Sequence, residues 1–138
     1  MFGDLKRALR FEVETCATRA KSIFDSPIDA PLGRLPRAAY DKTAVPMSSE
    51  QHMALAAFYG GVDEVNAGLD RAAAANTDAE RATERERVRV KALRLLRVDD
   101  MTPGQRDRYS DIETSAGTLA KASEYYNKAD AALKAHGV

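Results

Sequence analysis

Residues 48–76 read SSEQHMALAAFYGGVDEVNAGLDRAAAAN, and this stretch decides the fold class. Its apolar side chains recur at alternating intervals of three and four residues, so they line one side of an α-helix. The opening Ser48-Ser-Glu-Gln51 is a capping box, in which the two end side chains pair with unsatisfied backbone amides. We therefore predict a helix over 48–76 that packs against another helix through a stripe formed by Leu55, Phe58, Val62, Val65, Leu69 and Ala72.

Two adjacent glycines, Gly60 and Gly61, lie in the middle of this predicted helix. Together they cost about 1–2 kcal/mol of helix stability relative to alanine. Close approach of a neighbouring backbone would compensate for that cost, and a local kink in the helix is the alternative explanation.

A second capping box predicts a turn after this helix. Thr77-Asp-Ala-Glu80 has the T-x-x-E form, which places a turn at 76–78 and begins a third helix over about 78–98. One helix over 48–98 is the alternative, because neither Gly nor Pro stands at the turn and the apolar spacing continues through it.

The remaining helices are predicted at the two ends of the chain. The apolar spacing gives a first helix over about 4–24, and Thr102-Pro103-Gly-Gln105 caps a fourth over about 102–136. A helix of that length extends for about 50 Å, so we predict an elongated four-helix bundle. Residues 25–47 hold four of the five prolines and are predicted to form an irregular, proline-rich loop between the first two helices.

Composition is typical of a globular protein, and we predict one helical domain over 1–138. Hydrophobic residues make up 44% of the chain and charged residues 30%, with 21 bases balancing 21 acids. The zero net charge gives no argument for nucleic acid or an anionic membrane as partner. One cysteine excludes an intrachain disulfide, and no secretory signal or apolar run of about 20 residues is present, so we predict a cytoplasmic protein.

No residue pattern predicts catalysis, a metal site or a cofactor. The two histidines, His52 and His136, stand far apart, and no Glu-x-x-His or His-x-x-x-His occurs. Cys16 has no neighbouring His or Lys that would lower its pKa, so a buried structural thiol is expected. We therefore predict a protein that is not an enzyme and binds neither metal nor cofactor.

Binding to another protein is the function that the sequence favours. Apolar residues alternate with prolines in the loop, and apolar anchors in polar surroundings are typical of protein–protein contacts. We predict Leu32, Leu35 and Tyr40 as partner-binding residues.

The basic stretch 81–97 supports an alternative, a nucleic-acid-associated protein. It holds seven bases against two acids, and Arg87, Lys91 and Arg94 share one helical face on which phosphate could bind. A solvated helix face with intrahelical ion pairs is the favoured interpretation, because no aromatic residue is interleaved to stack on bases. Residues 48–80 hold six acids against one base, so the basic helix could instead complement the acidic one.

The N-terminal segment supports a further alternative, a peripheral membrane protein. Lys and Arg flank an apolar face formed by Phe2, Leu5 and Leu9, as in a helix that lies in the membrane interface. The same stripe continues to Ile23, and a core-facing bundle helix is therefore the favoured interpretation.

Two short stretches are similar to known families. Phe58-Tyr-Gly-Gly61 and Tyr126-Asn-Lys-Ala-Asp130 resemble the Trp-x-Gly and Tyr-x-x-x-Asp elements of small helical substrates of the mycobacterial-type export system, although no Trp is present here. Leu96-Arg-Val-Asp-Asp100 resembles the start of phage head–tail connector proteins. Each match covers only a handful of residues, so neither carries a function over to this chain. We predict a non-catalytic interaction protein, either a self-assembling structural subunit of, for example, a phage-like or secretion assembly, or a small adaptor or inhibitor.

Overall fold

The computed structural model describes residues 2–25, 33–40, 47–112 and 123–137. Within these ranges it contains five α-helices, one short 3-10 helix and no β-strand, which confirms the all-α fold class. Four helices were predicted, and the number therefore differs. The α-helices are α1 (Phe2–Asp25), α2 (Ser49–Ala74), α3 (Asp78–Ala92), α4 (Pro103–Ile112) and α5 (Glu124–Ala135), and the 3-10 helix spans Val98–Asp100.

One apolar core joins four of these helices. Helix α2 packs against α3 and α5, and α1 packs against the same two helices. The predicted apolar stripe of α2 is buried along its whole length, and Val13 of α1 and Leu133 of α5 are fully buried in the same cluster. Each large aliphatic or aromatic side chain buried in this way contributes about 1.5–3 kcal/mol.

The predicted turn between α2 and α3 is present. Helix α2 ends at Ala74, and Ala75 adopts an extended backbone conformation. The hydroxyl of Thr77 accepts a hydrogen bond from the backbone N–H of Glu80 at 3.1 Å, as the capping box requires. Because α2 and α3 then pack against each other, a single helix over 48–98 is excluded.

The predicted end of the third helix at residue 98 is wrong, because α3 ends at Ala92. The backbone N–H of Leu95 donates to the carbonyl of Ala92 at 3.0 Å, three residues earlier, so the chain tightens into a turn. Leu93, Leu95 and Leu96 are all buried there. A regular helix would point Leu95 away from the other two, so burial of all three favours the turn.

The predicted continuous helix over 102–136 is also wrong. Helix α4 starts as expected, since Thr102 and Gln105 form a reciprocal capping box. Ser123, however, lies in a turn, and α5 begins after it. The backbone N–H of Tyr126, in the first turn of α5, donates to the carbonyl of Arg94 at 3.1 Å. This hydrogen bond fixes the start of α5 against the turn that follows α3.

Glycines mark the positions where α2 touches its neighbours most closely. A Cβ atom on Gly61 would lie 2.9 Å from Cδ2 of Leu95, and one on Gly68 would lie 2.5 Å from Cγ2 of Val88. The close approach expected at the glycine pair is therefore found at Gly61, although side chains make it rather than backbone. Gly60 faces open space, and α2 continues through both residues as a helix.

Residues 33–40, which we call the strap, are the described part of the predicted proline-rich loop. They form no helix or strand and lie against α1 and α2. The side chain of Asn66 pairs with the backbone of Leu35 in both directions, accepting from its N–H at 2.7 Å and donating to its carbonyl at 3.0 Å. Residues 26–32 and 41–46 of the predicted loop, which include Leu32, lie outside the described residues.

Candidate interaction surfaces

A buried carboxylate fastens the strap to the helices. Only 8% of Glu12 is exposed. Its two oxygens accept hydrogen bonds from the backbone N–H of Ala38, at 2.9 and 3.1 Å, and from that of Ala39 at 3.0 Å. The hydroxyl of Tyr59 donates to the same side chain at 2.8 Å. Burying a carboxylate is costly unless such donors surround it, so Glu12 is an anchor for the strap backbone.

The cluster around Glu12 holds its neighbours in their neutral forms. Burial, followed by the negative charge of Glu12, raises the pKa of the Cys16 thiol to about 12. Burial and the hydrogen bond to Glu12 raise the pKa of Tyr59 above its usual range. The thiol of Cys16 donates to the carbonyl of Pro36 at 3.2 Å. A protonated, buried thiol is a poor nucleophile, and this arrangement therefore serves packing of the strap.

The outer part of the strap rests on aromatic rings. Tyr40 stacks on Tyr59 with ring centroids 5.1 Å apart, and its hydroxyl donates to the carbonyl of His52 at 3.3 Å. The guanidinium of Arg37 lies 4.8 Å from the ring centroid of Tyr59 and donates to Asp63 at 3.0 Å. Ion pairs and aromatic stacking therefore add to the hydrogen bonds that hold the strap.

The predicted partner-binding residues of the loop have different positions in the structure. Leu35 is 3% exposed and belongs to the hydrophobic core, so a partner could contact it only after the strap had moved. Tyr40 is half-buried at the edge of the same core. Leu32 lies outside the described residues. The strap thus directs its larger apolar side chains inward, and the partner-binding role of these residues stays a prediction.

The structure brings two of the three predicted phosphate-binding residues together, because Arg87 and Lys91 line the same open pocket on α3. Arg87 donates to Glu84 within α3 at 3.0 Å. Arg94 donates to the hydroxyl of Tyr125 at 2.9 Å, with its guanidinium 4.9 Å from that ring. Lys91 is half-buried. Two of the three cations are therefore already engaged with side chains of this chain, and phosphate binding by them stays a prediction.

The N-terminal helix directs its apolar stripe into the core. Leu9, Val13 and Ile23 are buried, as the bundle interpretation predicts. Phe11, on another side of α1, is 74% exposed. None of the described helices has both the length and the apolar character needed to cross a membrane.

An open groove lies between the start of α2 and the end of α5. The two helices run in opposite directions, because Gln51 of α2 contacts His136 just after α5, whereas Gly61 lies beside Tyr125 at the start of α5. The groove encloses about 570 Å³. We call it the α2/α5 groove, and it is lined by Ser48, Glu50, Gln51, Met53, Ala54 and Ala57 of the α2 side and by Lys128, Ala131, Ala132 and Ala135 of α5.

Small side chains create this groove. Ala54 and Ala57 face Ala131 and Ala135 across it, and alanine has no atom beyond Cβ to fill the space between two helices. Met53 stands at the groove with 71% of its surface exposed. The sequence analysis did not identify this surface. The sequence does contain a pattern that could have indicated it. Ala54 and Ala57 are three residues apart, and Ala131 and Ala135 are four residues apart, so each pair lies on one side of its helix beside the apolar stripe.

No family model, no curated protein and no solved structure matches this chain. In the ranges that the structure describes, no group of three or more His, Cys, Asp and Glu side chains is arranged to hold a metal ion. The half-buried cluster of Glu14, Arg10, Arg97 and Asp130 consists of ion pairs between oppositely charged side chains, with Arg97 2.6 Å from Glu14. It joins α1 to α5 and to the segment after α3.

Proposed function

We propose that the protein is a non-catalytic interaction protein and that the α2/α5 groove is the surface through which it contacts helices of its partner. The observation that carries this proposal is the exposed Met53 beside a row of alanines in an open groove. Covering one such apolar side chain contributes about 1.5–3 kcal/mol to binding. A self-assembling subunit and a small adaptor or inhibitor would both use such a surface.

The composition of the groove suits a helical partner. Alanine walls allow a partner's helices to approach closely, because the interaxial distance between packed helices, typically about 8–10 Å, is shortest where the side chains at the contact are small. Methionine is flexible and polarisable, so Met53 can adjust to the surface that it meets. Polar groups of Ser48, Glu50 and Lys128 surround the apolar floor, which is the usual anatomy of a protein–protein interface.

The other surfaces have weaker support. On the strap, Leu35 is already covered by the core, so contact with it would require breaking the hydrogen bonds to Asn66. In the basic stretch, Arg94 is held by Tyr125 of the same chain, whereas Arg87 pairs with Glu84 and keeps 64% of its side chain exposed. The net charge of zero also lacks the basic excess of most nucleic-acid-binding proteins. In the groove, by contrast, Met53 leaves 71% of its surface exposed.

A photo-crosslinking amino acid placed at Met53, in the full chain expressed in its own host, tests this function. Phe11 is the matched control, because it is equally exposed at 74% and does not line the groove. We expect covalent adducts from position 53 and few from position 11. Adducts from position 11 alone, or none from either position, would refute the groove as the contact surface. The adduct mass shows whether the partner is another copy or a different protein.

A further inference from the structure

We propose that the occupant of the α2/α5 groove is the same groove of a second copy of this chain, with the two copies related by a two-fold axis that crosses the groove. This inference rests on the proposed function, since it requires the groove to be a contact surface. It adds the identity of the partner and the orientation in which that partner binds.

The charge on the groove differs between its two ends. Glu50 lies in the first turn of α2, at the end where Gln51 meets His136. Lys128 lies near the start of α5, towards the end where Tyr125 meets Gly61. At 1.5 Å per residue along α2, these two charges are separated by about 12 Å along the groove. Among the side chains that line the groove, an acid therefore stands at one end and a base at the other.

This polarity selects one way to bring two grooves together. A two-fold axis that crosses the groove reverses its direction, so the Glu50 end of one copy meets the Lys128 end of the other, twice in each dimer. An axis along the groove would bring like-charged ends together, and that arrangement is disfavoured. The net charge of zero means that two copies do not repel each other as a whole.

The neighbours of Lys128 leave it able to pair with a second copy. Lys128 pairs with Glu124 of its own helix at 2.9 Å, but 62% of its side chain remains exposed. Exposed pairs of this i,i+4 type are weak and are readily shared with a second acid. Glu124 does not line the groove, so a partner carboxylate would approach Lys128 from the other side.

The apolar surfaces are complementary under the same symmetry. Met53 projects from the groove, whereas the alanines around it, such as Ala57 and Ala131, leave room for a side chain. Two copies can therefore place the exposed methionine of each against the alanines of the other. Every contact occurs twice, as an isologous interface requires.

Two opposite charge reversals, measured separately and as a mixture, test this proposal. For the unchanged chain, light scattering after size exclusion is expected to give twice the 15.1 kDa chain mass, falling to the chain mass on dilution. Glu50→Lys makes the groove basic at both ends, and Lys128→Glu makes it acidic at both ends. We expect each variant alone to dimerise at least tenfold more weakly, and an equimolar mixture to recover the dimer.

Three outcomes would overturn the second-copy proposal. The first is a mass of 15.1 kDa for the unchanged chain at every concentration. The second is a dimer that neither variant weakens, and the third is a mixture that does not recover the dimer. Circular dichroism of both variants checks that they remain helical. The mass of the adduct formed from position 53 identifies the partner independently of the light-scattering measurement. Crosslinking of position 53 to a different protein would overturn this proposal and leave the proposed function standing.

Discussion

Replacing Glu12 with glutamine should release the strap from α1 while most of the helical core stays folded. In the native protein, the two carboxylate oxygens accept from two backbone amides and one tyrosine hydroxyl. Glutamine keeps one oxygen and puts an NH₂ group in place of the other. The best orientation leaves that NH₂ facing the N–H of Ala38, so two donors meet and one acceptor is lost.

The size of the effect follows from these hydrogen bonds. A bond to a charged acceptor contributes about 1.5–3 kcal/mol, compared with about 0.5–1.5 kcal/mol for a neutral one. Glu12→Gln removes one charged bond to the strap, from Ala38, and converts the other, from Ala39, into a neutral one. The bond from Tyr59 joins α1 to α2 and does not hold the strap. We expect the strap to be destabilised by about 3 kcal/mol, which corresponds to an increase of about 100-fold in the population with the strap open.

Cys16 reports strap opening directly. It is the only cysteine in the chain, it is fully buried, and its thiol contacts the carbonyl of Pro36 in the strap. A chromogenic disulfide reagent in native buffer should therefore modify Glu12→Gln about 100-fold faster than the unchanged protein. Glu64→Gln is the matched control, because Glu64 is an exposed acid on α2, and this substitution should leave the rate unchanged.

Global unfolding would also expose Cys16, and a second variant separates the two routes. Gly68→Ala should weaken α2–α3 packing without touching any strap hydrogen bond. If the strap opens by itself, Glu12→Gln reacts much faster than a Gly68→Ala protein of equal unfolding free energy. Equal rates at equal stability would refute the idea that the carboxylate of Glu12 holds a separable strap.

Three further predictions concern packing, pH and the basic face. Gly68→Ala should destabilise the protein by about 1–2 kcal/mol in chemical denaturation, because the new Cβ would lie 2.5 Å from Val88. Gly60→Ala should instead stabilise it by about 0.5–1 kcal/mol, because Gly60 faces open space. The reverse order of stabilities would contradict the α2–α3 packing. Burial raises the pKa of Cys16 from 9.0 to about 12, so the neutral thiol stabilises the fold below pH 9 and this contribution disappears as the pH rises towards 12. The Cys16→Ala protein should therefore lose less unfolding free energy than the unchanged protein over that range. An identical pH dependence in both proteins would contradict the raised pKa of Cys16. A heparin column should retain the protein weakly at low salt, and the Arg87→Ala protein should elute at almost the same salt concentration. A steep salt dependence of retention that Arg87→Ala reduces would favour the nucleic-acid alternative instead.

The starts of α2, α3 and α4 were predictable from sequence because capping is a local interaction. Ser48 and Gln51 satisfy each other's backbone amides within one turn, as do Thr102 and Gln105. Thr77 accepts from the backbone N–H of Glu80 at the start of α3, but the side chain of Glu80 accepts from the N–H of Asn76 instead of that of Thr77. Side chains three residues apart determine these boundaries, so four letters of sequence contain all the required information.

The end of α3, the start of α5 and the strap were not predictable in the same way, because distant residues determine them. The chain leaves the helix after Ala92, where burial of three leucines favours a turn over the regular spacing. Glu12 was overlooked as a charged residue in an amphipathic helix. Its position three residues after Leu9 and four before Cys16 nevertheless puts it on the buried stripe. A charge at such a position needs partners from elsewhere, and only the fold shows that the strap supplies them.

The sequence showed which helices are acidic and which are basic, but it did not show which charged residues pair with each other. The acids of α2 were expected to complement the bases of α3. In the described part of the chain, Asp63 and Asp70 pair instead with Arg37 and Arg34 of the strap. The ion pair recorded between α2 and α3 joins Arg71 to Glu84 and has the opposite polarity. Counting charges along a helix cannot show which neighbour lies over which face.

These pairings strengthen the case for the α2/α5 groove. Of the three bases predicted to bind phosphate, Arg87 pairs with Glu84 within α3, and Arg94 donates to Tyr125 at the start of α5. The groove is different, because its alanines leave space that larger apolar residues would fill. A leucine in place of Ala57 would bury more apolar surface within one chain and contribute up to a few kcal/mol. The space left by these alanines agrees with the function proposed for the groove, in which a partner's side chains would occupy it.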